Sequence, residues 1–176
     1  LPMALSVLPF MKPGALLTDA GSTKRWFADS MRPLMPVGVR YIGGHPMAGR
    51  EKSGLSEAMP DLFRGRWYLF TPSADTPDSF LTQLRQLIEL TGAQTAVLDD
   101  RRHDQITAVI SHVPHVAAAA LVHLLKKEIN PAETAQFIGG GFRDTTRIAS
   151  SDADMWADIC MTNPENSADG LDELCG

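Results

Sequence analysis

VRYIGGHPMAGREKSG, residues 39–54, is the stretch from which the rest of the chain can be read. An apolar run, Val39 to Ile42, breaks at Gly43 and Gly44 and then presents one histidine, His45, an Arg50-Glu51-Lys52 cluster and a further glycine, Gly54, with no helical or strand period left. That is how a strand delivers a side chain into a site: glycines let the backbone approach a ligand closely, and Pro46 stiffens the residue after the histidine. A charged surface loop with an incidental histidine has the same composition. Working outward, Ala15 to Asp19 reads as a short strand ending in Gly21-Ser22. It is preceded by an amphipathic helix over residues 1–12, with Leu5, Leu8 and Met11 near one face, and followed by a helix through Trp26, Phe27, Met31 and Leu34. Helix, strand, helix, strand at this spacing predicts parallel α/β units, whose functional groups gather at the carboxyl ends of strands. Ser22 and His45 both fall there.

Trp67 to Phe70 is a third strand, Pro77 to Leu90 a helix stopped at Gly92, and Ala93 to Leu98 one more strand. From Asp99 the pattern changes to helices, over 99–127, 131–138 and 151–163, with a weak tail after Pro164. The expected organisation is therefore an α/β part, residues 1–98, followed by an all-α part, residues 99–176.

Composition narrows the function. A net charge of −5 leaves no electrostatic footprint for nucleic acid, and no basic tract suited to an anionic membrane is present. The longest apolar run, Val116 to Leu125, is interrupted by His123 and falls well short of the roughly 20 residues that span a bilayer. No charged-then-apolar leader opens the sequence. Two cysteines, Cys160 and Cys175, are too few for a disulfide framework and fit a reducing, cytoplasmic setting.

The segment GGHPMAGREKSG resembles the signature of the prephenate dehydrogenases, enzymes of tyrosine biosynthesis. Thr18-Asp19-Ala20-Gly21-Ser22-Thr23-Lys24 is similar to that family's TD-x-GS-x-K turn. His103-Asp104 followed by Ser111-His112-Val113-Pro114-His115 resembles its HD…SHLPH helix, and residues 139–152, GGGFRDTTRIASSD, resemble its GGGFRDTTRIA-x-SDP segment. Four blocks occur in family order. The resemblance implies the later half of a Rossmann-type dinucleotide-binding domain with a parallel sheet, then a helical substrate and dimerisation domain. The G-x-G-x-x-G turn that would hold a pyrophosphate at a helix N-terminus does not occur, since the triplet Gly139 to Gly141 follows a helix and precedes Phe-Arg-Asp. The chain is accordingly expected to be part of a longer protein, lacking the first half of the nucleotide-binding domain and some carboxyl-terminal helices.

The family reaction passes a hydride from prephenate to NAD or NADP, with NAD favoured here, and releases carbon dioxide to give 4-hydroxyphenylpyruvate. The resemblance makes His45 the acceptor for the ring hydroxyl, a task that suits a neutral imidazole. It places Ser22 at the junction of nicotinamide and substrate, with Asp19 and Gly21 on the cofactor side. Arg147 is the implied ligand of the substrate carboxylate, suited by its planar bidentate guanidinium. Arg143 and Asp144, four and three residues earlier, would share its helix face and orient it, or form a surface ion pair. His115 would face the substrate and His112 would be structural. A metal reading of that histidine pair lacks a cysteine or third ligand, so no metal is expected. His103 reads as a helix-start residue and Asp104 as a cap or anchor; Lys24 reads equally as a site residue or a solvated helix residue. Glu51 is implied to close over the site in an ion pair. Arg50 departs from the small or polar residue usual there, which leaves arogenate as the alternative substrate. The apolar face of the long helix, Val109, Ile110, Val113 and Leu121 among others, implies a homodimer. A catalytically incomplete dimerisation or ligand-binding fragment is the reading from another class.

Overall fold

In the computed structural model the described residues are 1–49, 54, 58–128 and 130–176. They fall into two compact units, Leu1–Gly49 with Ala58–Ile106, and Thr107–Gly176. The first is built on four strands, β1 (Leu16–Thr18), β2 (Arg40–Pro46), β3 (Trp67–Pro72) and β4 (Gln94–Val97), hydrogen-bonded in chain order. β1 and β2 run parallel, joined by helix α2 (Arg25–Met31), and β3 and β4 run parallel, joined by α3 (Asp78–Glu89). A short helix α1 (Pro2–Val7) and a 3-10 turn precede β1.

Two details depart from the sequence expectation. β3 pairs with β2 antiparallel, because among the described residues of the segment between them no helix supplies the crossover that a parallel return needs. And β2 does not stop at Ile42: Gly43, Gly44 and His45 continue the ladder opposite Thr71, Phe70 and Leu69. The two glycines lie inside the sheet because there is no room for side chains. A Cβ on Gly43 would collide with the Thr71 hydroxyl, and one on Gly44 would lie 2.5 Å from the Asp19 carbonyl oxygen and 2.8 Å from the Tyr68 hydroxyl. They are close-approach glycines rather than strand breakers.

Alternation along β2 sends Ile42 to one face and Tyr41, Gly43 and His45 to the other. Ile42, Tyr68, Phe70, Leu84 and Ala93 form the main core, closed by Phe80, Leu81 and Ile88 of α3. On the opposite face α2 buries Ala28 and Met31, and the Phe27 ring lies 5.7 Å from that of Tyr41. Helices on both faces of a mostly parallel sheet are the layering of a doubly wound α/β domain.

α4 (Asp100–Thr107) continues through a π-helical turn, Ala108–His112, into α5 (Val113–Glu128). The wide turn answers Pro114, whose missing N–H and bulky ring cannot be fitted into a regular α-helical ladder. The helix from Asp100 to Lys127 is by length and composition alone sufficient to cross a membrane, longer than the run 116–125 suggests. It carries the buried polar side chains His103, Asp104, Thr107 and His112, and 28% of its apolar window is buried. The rest of the second unit is α6 (Pro131–Thr134), α7 (Gly140–Thr146), a 3-10 turn Arg147–Ser150, α8 (Ala153–Thr162) and α9 (Pro164–Cys175). Asp152 caps α8 by accepting from the Met155 N–H at 2.9 Å. The tail after Pro164, expected to be weak, is a helix of 12 residues with proline at its first position, where a missing N–H costs nothing.

Candidate active site

At the carboxyl end of β1 the Asp19 carboxylate collects four donors, two from the turn that follows and two from β2. Oδ1 accepts from the Gly21 N–H at 2.8 Å and from the Lys24 ammonium; Oδ2 accepts from the Tyr41 hydroxyl at 2.6 Å and the Gly44 N–H at 3.4 Å. Lys24 also donates to the Gly44 carbonyl at 2.5 Å. Its side chain is 0 % exposed, so the solvated alternative is set aside. Burial pushes the Lys24 ammonium below its ordinary range, opposed first by the charge and hydrogen bond of Asp19 and then by Asp104. Burial, reinforced by the Asp19 charge, raises the phenols of Tyr41 and Tyr68, so both remain hydroxyl donors at neutral pH. This cluster ties the turn carrying Gly21 and the half-buried Ser22 to the segment of β2 that carries His45.

His45 is half-buried, and its Nδ1 lies 2.8 Å from Nε2 of His103, with ring centroids 5.0 Å apart and planes inclined at 58°. His103 is fully buried, and its Nδ1 lies 2.8 Å from Oδ1 of Asp104. Asp104 in turn accepts from the backbone N–H of Lys24 at 2.8 Å and of Arg25 at 2.9 Å. It is thus an anchor, as its acidic side chain suggests, but for the first turn of α2 rather than for its own helix. His103 reaches past the helix-start role read for it and contacts the candidate acceptor directly.

In the second unit the His115 ring stacks on Trp156 with centroids 3.5 Å apart and planes within 5°. Among the described residues, His115 Nδ1 and Trp156 Nε1 are both buried without a hydrogen-bond partner. Burial lowers the pKa of His115, which keeps the ring neutral. His112 is buried with its Nδ1 3.3 Å from the Asn163 amide nitrogen and 3.4 Å from the Ser167 hydroxyl. Arg143 lies in the last turn of α7 and Arg147 just beyond it, opening the 3-10 turn; both are exposed. Glu51, with Arg50 and Lys52, lies outside the described residues. The structure therefore gathers Asp19, Gly21, Ser22 and His45 in the first unit, and places His115, Arg143 and Arg147 in the second. Tyr41 and Trp156 are additions that the sequence did not single out, and burial decides Lys24 as an anchor between its two readings. A lysine two residues after Gly-Ser and an aromatic in the helix after the Arg147 motif were the available signals.

The family model described as prephenate dehydrogenase, nucleotide-binding domain, matches residues 1–97, and that described as prephenate dehydrogenase, dimerization domain, matches residues 99–175. The chain belongs to the prephenate dehydrogenase family. It is 42% identical over 159 residues to a prephenate dehydrogenase of Bacillus subtilis, covering 90% of this chain and 43% of that protein. Among solved structures it resembles the prephenate dehydrogenase of Aquifex aeolicus in complex with hydroxyphenyl propionate and NAD+, with a TM-score of 0.90 and 33% identity over 98% of this chain and 60% of that one. An arogenate dehydrogenase from Synechocystis follows at a TM-score of 0.82 and 28% identity, covering 98% of this chain and 62% of that one. The chain thus spans less than half the length of the Bacillus relative. A Rossmann-like mostly parallel sheet followed by a helical region is the family architecture.

Proposed function

We propose that this chain belongs to an NAD(P)-dependent prephenate dehydrogenase in which residues 1–98 form the later half of the dinucleotide-binding domain and residues 99–176 the helical substrate and dimerisation domain. The observation that carries the proposal is the placement of His45 at the carboxyl end of β2, beside the Asp19–Ser22 turn of β1. In a doubly wound sheet that edge is where cofactor and substrate meet.

The turn at Asp19, Gly21 and Ser22 fits the nicotinamide end of a dinucleotide: Gly21 is exposed, its N–H is fixed by Asp19, and no bulky side chain stands on it. When bound, the nicotinamide accepts the hydride from the carbinol carbon of the substrate. Ser22 offers a hydroxyl to the ring oxygen. His45 accepts the hydrogen bond of the ring hydroxyl and then its proton, as positive charge develops on the carbon that loses hydride. Carbon dioxide leaves, the ring becomes aromatic, and the phenol oxygen recovers a proton. Within the second unit, Arg147, with Arg143 four residues before it, supplies a planar guanidinium suited to a carboxylate, and His115, stacked on Trp156, supplies a ring nitrogen. The exposed apolar positions Val109, Ile110, Val122 and Leu124 support a homodimer through the helical domain.

The test is absorbance at the reduced-nicotinamide band after the full-length protein is mixed with prephenate and NAD, then NADP, with arogenate as the competing substrate. His45→Asn is expected to lower turnover by about 10²-fold or more. A near-normal rate for that variant would remove His45 from the mechanism.

A further inference from the structure

We infer that His103 and Asp104 are positioning residues for His45: together they dictate which ring nitrogen of His45 bears the lone pair, and they couple that choice to the turn that carries Ser22. The inference deepens the reading of His45 as proton acceptor and rests on it. An ionised carboxylate has only acceptor atoms, so the 2.8 Å contact between Asp104 Oδ1 and His103 requires the proton of His103 to sit on Nδ1. Nε2 of His103 then carries a lone pair, and the 2.8 Å contact with Nδ1 of His45 requires His45 to be the donor there. The lone pair of His45 is thereby placed on Nε2. When His45 takes a proton at Nε2, the new imidazolium already donates through Nδ1 to an acceptor backed by a carboxylate. No proton has to travel along the chain of three residues for the charge to be stabilised.

A helix cap alone does not account for the arrangement. Capping α2 needs one carboxylate; it does not need a fully buried imidazole oriented edge-on between that carboxylate and a histidine 58 residues away in sequence. Asp104 also donates nothing and accepts from Lys24 N and Arg25 N, the residues that immediately follow Ser22-Thr23, so one side chain sets both the Ser22 turn and the His45 tautomer. Substituting the carboxylate by an amide inverts this logic. Oδ1 is shared by His103 and the Lys24 N–H, so an amide nitrogen in that position would give up the Lys24 bond and donate to His103 Nδ1; the His103 proton would then move to Nε2, and His45 would carry its lone pair on Nδ1, turned away from the substrate side.

The experiment uses the full-length protein labelled with [15N]histidine. Nitrogen spectra of the wild type at a pH where the histidines are neutral are expected to show His45 and His103 both protonated at Nδ1. Asp104→Asn is expected to shift His45 to the Nε2-protonated form and to lower kcat by about 10²-fold or more while KM changes less than about threefold, the signature of a mis-set tautomer. His103→Phe, which keeps the ring volume and leaves Asp104 to cap α2, is the second variant; it is expected to lower kcat in the same way without lowering Tm as far as Asp104→Asn does. A wild-type His45 protonated at Nε2, or a folded His103→Phe enzyme with unchanged kcat, would overturn the inference. A wild type that reduces neither NAD nor NADP with prephenate would instead sink the proposed reaction, and the tautomer spectrum would still decide the role of the pair.

Discussion

Replacing Lys24 by methionine keeps most of the aliphatic stem and deletes the charge. In the fold the ammonium is 0 % exposed and the Asp19 carboxylate it meets is 13 % exposed, so water cannot take over the lost partner. Removing one member of a buried pair costs about 3–5 kcal/mol, because the other charge stays behind uncompensated. Asp19 retains the Tyr41 hydroxyl and the Gly21 and Gly44 N–H groups, which moves the expectation to the lower end, about 3 kcal/mol. For a chain of this size about 3 kcal/mol lowers Tm by roughly 6–12 °C. Asp19→Asn should be at least as damaging, since it leaves the buried ammonium in contact with neutral acceptors, the Gly44 carbonyl and the amide oxygen, in place of a carboxylate. The double variant Lys24→Met with Asp19→Asn removes both charges, so it should be more stable than the sum of the two losses predicts by well over 1 kcal/mol. Thermal melts of the four proteins, followed by calorimetry, measure this cycle. Additive losses, or a Lys24→Met protein within 1 °C of wild type, would refute the view that the pair holds β1 to β2.

Gly44→Ala inserts a methyl 2.5 Å from the Asp19 carbonyl oxygen and is expected to cost about 1–3 kcal/mol, whereas Gly141→Ala, an open position within α7, should be neutral or stabilising by up to about 1 kcal/mol; paired Tm measurements decide. His115 adds an acid sensitivity whose sign follows from its lowered pKa. Between the folded value and the ordinary value of 6.5 the unfolded chain binds a proton that the fold refuses, so stability falls as pH drops through 6.5 and is flat above it. His115→Phe, which keeps a ring for Trp156, should flatten that part of the stability profile; an unchanged acid slope in urea melts would count against a buried neutral imidazole.

Much of the fold was legible because it is local. The helices over 78–89 and 100–128 and the strands at 16–18, 67–72 and 94–97 have the apolar periods and stop signals that local rules detect. The end of β2 was not, since Gly43 and Gly44 read as a break by propensity, and what keeps them in the ladder is the lack of space beside Thr71, Asp19 and Tyr68. The antiparallel β3 was hidden for a related reason: its direction depends on the connection between β2 and β3, not on its own residues. In the candidate site His45 and the Asp19 turn were readable as motif residues at strand ends. The full burial of Lys24 and the stacking of Trp156 on His115 were not, because each depends on a partner distant in sequence.

The capping of α2 shows how far such dependence reaches. Local rules look for a cap among the residues just before a helix, and Ser22 and Thr23 are suited to that role by type. The carboxylate that accepts from the first backbone N–H groups of α2 comes instead from Asp104, 80 residues after Lys24. This places a carboxylate within reach of His103, so that a single side chain both caps the start of a helix and orients an imidazole. Two sequence motifs that read as separate signatures, Gly-Ser-Thr-Lys and His-Asp, are therefore halves of one hydrogen-bonded unit. Their joint presence constrains the geometry of His45 more tightly than either motif can alone, which is why a substitution at Asp104 is expected to register at His45, two hydrogen bonds away.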